Sequence, residues 1–128
     1  MTVSIFDGRT RLQLMRAGDP EAGYPVSSYP TEITVTTGPF SAIVKALPHA
    51  YAAFLEELSQ LHKSMAGVAK LRFWNEAHSI VLTGTGNGRI ALSMTIVDSV
   101  SNYLRVNMAI DQSYLPQIIS GLKEEFPI

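Results

Sequence analysis

The clearest pattern in the chain lies near its C-terminus, where a period of two gives way to a helical period. From Tyr103 to Asp111 every second residue is apolar (Leu104, Val106, Met108, Ile110). Because side chains alternate between the two faces of a strand, this predicts a strand with one apolar face. Beyond Asp111 the apolar residues follow one helix stripe: Leu115, Ile118, Ile119, Leu122 and Phe126. We expect this strand and helix to fold together and to form the centre of the core.

Three other stretches with alternating apolar residues precede this strand, at residues 69–74, 80–83 and 90–96. Only a few residues connect them, and connections this short suit antiparallel neighbours. We therefore predict a four-stranded antiparallel meander over residues 68–111, with its last turn between Asp98 and Asn102. The glycines from Gly84 to Gly88 predict a hairpin turn, because a phosphate-binding loop would lead into a helix and a strand follows here.

The N-terminal third also contains strand patterns. A hairpin is predicted from Thr2 to Met15, turning at Asp7-Gly8, a pair favoured in tight turns. Residues 17–30 hold three of the prolines and are predicted to be a loop. Strands are predicted from Thr31 to Thr37 and from Phe40 to Lys45, the second pairing back on the first.

A longer helix is predicted between these strands and the meander, from about Leu47 to Ala66. Pro48 suits its first turn, and Gly67 stands where a left-handed C-terminal cap is expected. The chain therefore reads as one domain, residues 1–128, of the α+β class. Its antiparallel sheet consists of the meander plus the N-terminal strands, with two helices packed on one face.

The composition narrows the possible functions. The formal net charge is −1 and no basic stripe is visible, so we expect no nucleic-acid partner. There are no cysteines, which excludes disulfides and thiol catalysis. No apolar run reaches the roughly 20 residues that span a bilayer, and no secretory signal is visible, so a cytoplasmic protein without membrane association is expected.

No group of residues predicts catalysis, a cofactor or a metal. His49 and His62 are too far apart for a helical metal pair. We expect His62 to be half-buried on its helix, and His78 to be exposed in a turn beside Glu76. No nucleophile, base and orienting group come together in the sequence, so we predict that the protein is not an enzyme.

The polar face of the meander is the best candidate for a binding site. Lys70, Arg72 and Trp74 share one side of the first strand, and Tyr103, Arg105 and Asn107 share one side of the last. Trp, Tyr and Arg are the types enriched in interface anchors. The predicted partner-binding residues are Arg72, Trp74, Tyr103 and Arg105. In the alternative, the N-terminal strands cover this face and these residues are ordinary packing.

The segment Asp111–Pro116, with the sequence DQSYLP, resembles the Asp-Gln-Thr-Tyr-Leu-Pro signature of the WapI-like immunity proteins. The likeness covers about residues 38–126, and Ser113 replaces the usual threonine. It implies a small cytoplasmic protein that binds and neutralises a toxin domain. Inhibitors of nucleases often carry strong negative charge, which a net charge of −1 does not supply. The toxin therefore need not be a nuclease, unless an acidic surface is local.

Two other functions stay open at this point. The chain could be a homodimeric domain that associates through its sheet face or an edge strand. It could also bind a small ligand, or act as an enzyme, through a pocket between the proline-rich loop and the sheet.

Overall fold

The computed structural model describes residues 2–20, 22–25, 27–98 and 102–127. The α+β class is confirmed, because these residues form antiparallel strands and two α-helices. The elements in chain order are β1 Val3–Phe6, β2 Thr10–Arg16, β3 Thr31–Thr37, β4 Phe40–Ala46, α1 Tyr51–Ser64, β5 Ala66–Arg72, β6 Ser79–Thr85, β7 Arg89–Val97, β8 Tyr103–Asp111, a 3-10 turn Gln112–Tyr114, and α2 Leu115–Glu125.

The strands form two separate antiparallel sheets, each in simple sequence order. The first sheet is β1-β2-β3-β4 and the second sheet is β5-β6-β7-β8. The predicted meander is thus confirmed as the second sheet, and the N-terminal strands pair with one another in a sheet of their own. Residues 99–101 of the predicted turn lie outside the described residues. On either side of them, the Asp98 N–H donates to the Asn102 carbonyl at 2.9 Å.

Both sheets and both helices contribute to one core. The apolar rows of β2, β3, β6, β7 and β8 are buried together with the stripes of α1 and α2. Ile118 is buried, as predicted, whereas Leu104 is only partly buried and packs against the edge of the core. Each large apolar side chain buried here contributes roughly 1.5–3 kcal/mol, which opposes the loss of chain entropy.

Helix α1 is shorter than predicted at both ends. Pro48 does not enter its first turn, because residues 47–49 bridge to the end of β5, with Pro48 opposite Phe73. The helix ends at Ser64, and Met65 takes the left-handed conformation (φ 62°) that was expected at Gly67. Gly67 lies inside β5.

The DQSYLP segment turns the chain from β8 into α2. The Asp111 carboxylate accepts a hydrogen bond from the Ser113 N–H at 2.9 Å, and that bond lowers the pKa of Asp111. Gln112 and Leu115 are buried beneath the turn, and Pro116 occupies the first turn of α2. Asp111 thus caps the 3-10 turn that leads into α2.

Candidate partner-binding face

The side chains of β5–β8 that point away from the core form the outer face of the second sheet, called the outer face below. Its members alternate with buried residues along each strand. Tyr103 is 69 % exposed, and Trp74, just beyond β5, is 48 % exposed. The alternative in which the N-terminal strands cover this face is therefore contradicted.

The strand register places Arg72 and Arg105 in one row across the outer face. Arg72 is paired with Ser79, Ser79 with Thr95, and Thr95 with Arg105. Paired residues point to the same face, and neighbouring strands lie about 4.8 Å apart, so the two arginines are separated by about 14 Å at the backbone. The four predicted binding residues thus form two groups at opposite edges of the sheet.

Trp74 belongs to the first group but stands outside the strand to which it was assigned, because β5 ends at Arg72. Its ring centroid lies 4.4 Å from that of His49 and 5.4 Å from that of Tyr24. The rings of Trp74 and His49 border a cleft of about 250 Å³ between the proline-rich loop, the start of α1 and β5. The sequence pattern did not place His49 and Tyr24 at this site. The only nearby sequence feature that marks them is the proline beside each one, Pro48 and Pro25.

Helix α1 fixes the position of Arg72. The carboxylate of Glu57 accepts a hydrogen bond from the Lys70 N–H at 2.8 Å, and its second oxygen lies 3.2 Å from Nη1 of Arg72. Arg72 Nη1 also donates to the Lys70 carbonyl at 3.3 Å. These contacts hold the guanidinium against the strand while half of its side chain stays exposed.

Arg105 belongs to the second group, near the point where β8 meets the end of the first sheet. It shares a polar cleft of about 340 Å³ with Arg9, Thr10, Thr37 and Asn107. Sequence reasoning missed Arg9, because only the packing of the two sheets brings it near β8.

Asp7 also lines this second cleft, but its carboxylate is already engaged. Burial alone would raise the pKa of Asp7, yet hydrogen bonds from the backbone N–H groups of Thr10, Arg9 and Ala109 outweigh burial and hold the pKa below its usual value. The carboxylate therefore stays ionised, and its hydrogen bonds to Arg9 and Thr10 hold the turn of the first hairpin.

The outer face is locally cationic although the whole chain is not. Strands β5–β8 carry four cationic residues and one carboxylate: Lys70, Arg72, Arg89, Arg105 and Asp111. Arg89 and Asp111 are opposite each other in the register. Arg72 is paired with Glu57 of α1, but Lys70 and Arg105 still leave this face with an excess of positive charge, which complements a negatively charged surface.

The histidines lie differently from the predictions. His62 is exposed rather than half-buried, because it falls outside the apolar stripe of α1. His78 is buried rather than exposed, at 7 % exposure, and its Nδ1 accepts the Val97 N–H at 3.2 Å. Burial lowers the pKa of His78, so its ring is held neutral.

A cleft of about 300 Å³ brings His78 together with His49 and Glu76. Among the described residues no hydrogen bond joins His78 to Glu76, and no group of three or more His, Asp or Glu side chains is placed to hold a metal ion. Neither described helix is long and apolar enough to cross a bilayer.

A small α+β domain with an exposed, cation-bearing sheet face has the features of a protein-binding module. A model of the immunity protein WapI-like family matches residues 9–127, and the chain belongs to this family. Family membership gives the chain an immunity-type role. No curated protein and no solved structure matches the chain.

Proposed function

We propose that this chain binds a toxin domain in the cytoplasm and neutralises it without catalysing a reaction, using the outer face of the second sheet. Membership of the immunity protein WapI-like family supports the immunity part of this proposal. The observation that carries the choice of surface is the exposure of aromatic and cationic side chains on one sheet face, with Arg72 and Arg105 in the same row.

The two groups have the chemistry of interface anchors. Trp74 and Tyr103 offer large apolar area with few rotatable bonds, and Arg105 can bind a carboxylate through two hydrogen bonds. Between the groups, the serines, threonines and alanines of β6 and β7 leave room for a partner to approach the backbone closely. Binding of this kind inhibits by covering part of the toxin.

The charge of the outer face specifies the kind of toxin surface that fits. Cationic residues dominate it, so the complementary surface carries Asp and Glu. A nuclease active site is usually cationic because it binds phosphates. We therefore propose that the contacted surface of the toxin is acidic and is not the phosphate-binding cleft of a nuclease.

The test uses the toxin domain that this chain retains in a pull-down from its source organism. Co-expression of the wild-type chain should restore bacterial growth, and calorimetry on the purified pair should give a one-to-one complex. Trp74→Ala and Arg105→Ala should each weaken binding by about tenfold or more, with the thermal midpoint nearly unchanged.

The control is Met15→Ala, which removes an exposed side chain from the outer side of the first sheet. It should leave binding unchanged. Full affinity in both the Trp74 and Arg105 variants would show that another surface is used. A loss of stability without a loss of binding would show that these residues are packing residues.

A further inference from the structure

The two open sheets have four edges, and within the described residues two of them, β1 and β5, are engaged by other parts of the chain. Helix α2 lies against β1. At β5, Glu57 takes the Lys70 N–H, and residues 47–49 bridge to the end of the strand. The β8 edge carries the charged residues Arg105 and Asp111, and charged side chains oppose pairing with a foreign strand. Two of these edges are thus covered, and the third is charged, so each is disfavoured for pairing with a foreign strand.

The fourth edge, β4, differs from the others. Within the described residues it pairs with β3 on one side only. It is the one strand with no buried residue, and it exposes 70 % of Phe40 and 64 % of Ile43. Beside it lies an apolar groove of about 240 Å³ that also contacts Val97 and Tyr103. An edge that is seven residues long and this apolar is a template for another strand.

We propose that a second copy of this chain pairs with β4, antiparallel across a two-fold axis at Ile43, so that two first sheets join into one eight-stranded sheet. An axis at the middle residue of β4 pairs all seven residues. Ile43 then faces Ile43 of the second copy, and Phe40 faces the small side chain of Ala46.

Charge supports a second copy as the occupant. Lys45 is the only charged residue of β4, and in this register it faces Ser41 of the other copy, so the two lysines stay apart. The strand is therefore complementary to itself, whereas like charges placed opposite each other would oppose pairing. The interface is small, so the dimer should form in a concentration-dependent way.

This dimer does not depend on the proposed toxin binding, and its test uses the chain alone. Sedimentation equilibrium should show a monomer–dimer equilibrium for the wild type. Ile43→Lys and Ile43→Glu should each weaken it by about tenfold or more, because they remove apolar contacts and place like charges at the axis. An equimolar mixture of the two variants should restore dimers, because opposite charges then meet.

The control is Met15→Lys, which changes an exposed apolar residue in the middle of the first sheet and should leave the dimer intact. Circular dichroism of each variant checks that it is folded. A wild type that stays monomeric up to roughly 1 mM would overturn the proposal. Dimers that persist in both Ile43 variants would also overturn it. The same holds if the Ile43 variants dimerise normally and lose only toxin binding.

Discussion

Glu57 on α1 and Arg72 on β5 form an ion pair of 3.2 Å at the border of the outer face. The same carboxylate also accepts the Lys70 N–H. Glu57 of α1 therefore both positions this arginine and shields the edge of β5. A residue that touches no partner thus helps to set the geometry of the proposed binding face.

Replacing Glu57 tests this arrangement. Glu57→Ala removes both contacts and should lower the free energy of unfolding by about 1 kcal/mol, a modest value because both side chains are partly exposed to water. Glu57→Gln keeps an oxygen for the Lys70 N–H and should lose about half as much. Urea unfolding of both variants checks this, and equal losses would show that the Lys70 contact is unimportant.

Two glycines give opposite predictions for the same substitution. At Gly84 an added Cβ would lie 2.8 Å from Cδ1 of Leu61 and 3.0 Å from the Met65 carbonyl oxygen, so Gly84→Ala should destabilise the fold by about 1–3 kcal/mol. At Gly121, inside α2, the Cβ would meet Val3 at an ordinary 3.7 Å.

Gly121→Ala should therefore stabilise the fold by about 0.5–1 kcal/mol, because alanine loses less backbone freedom in a helix. Thermal unfolding of the two variants side by side measures both effects. A stable Gly84→Ala variant would mean that α1 can shift away from β6 without loss.

His78 should make stability depend on pH. Its folded-state pKa lies below the ordinary value of 6.5 because of burial, so the folded protein binds fewer protons than the unfolded chain. The stability associated with the neutral ring is present above about pH 6.5 and is lost as the pH falls through the folded-state pKa.

Unfolding free energies measured between about pH 5 and 8 should therefore fall toward the acid side. His78→Gln should flatten that part of the profile. His62→Gln, at an exposed position, should leave the profile unchanged. If the His78 variant keeps the wild-type slope, another group is responsible for it.

The charge of the outer face predicts how salt affects binding of the toxin domain. If an acidic surface meets these cations, the association rate should fall by about tenfold between low and high ionic strength. Arg105→Glu should slow association further and reduce the dependence on salt. An association rate that rises with salt would contradict the proposed acidic surface.

The sequence predicted the strands well, because a period of two depends only on which residues meet the core. The predicted β3 and β8 have the same bounds as the observed strands. The turn predicted at Gly84–Gly88 is present but shorter, because Gly84 and Thr85 belong to β6. The start of α1 was not predictable, because Pro48 suits a helix start as well as a bridge. The bridge forms because Pro48 lies opposite Phe73, which is 25 residues further along the chain.

The candidate site was predictable only in part, for a similar reason. The alternation in β5 and β8 indicated which residues share a face, but not that Arg72 and Arg105 lie in one row across four strands. His49, Tyr24 and Arg9 approach the outer face from loops and from the first sheet, and no local pattern marks such residues. The burial of His78 likewise depends on its contact with Val97.

Because within each sheet every strand pairs with its neighbour in sequence, each half of the chain can assemble its own ladder through short loop closures. Neither half can bury its apolar face alone, since that face is buried only when the other sheet and both helices pack against it. We therefore expect residues 2–46 or 66–111, produced as separate fragments, to form strands and to aggregate, and to become soluble only when the whole chain closes around a shared interior.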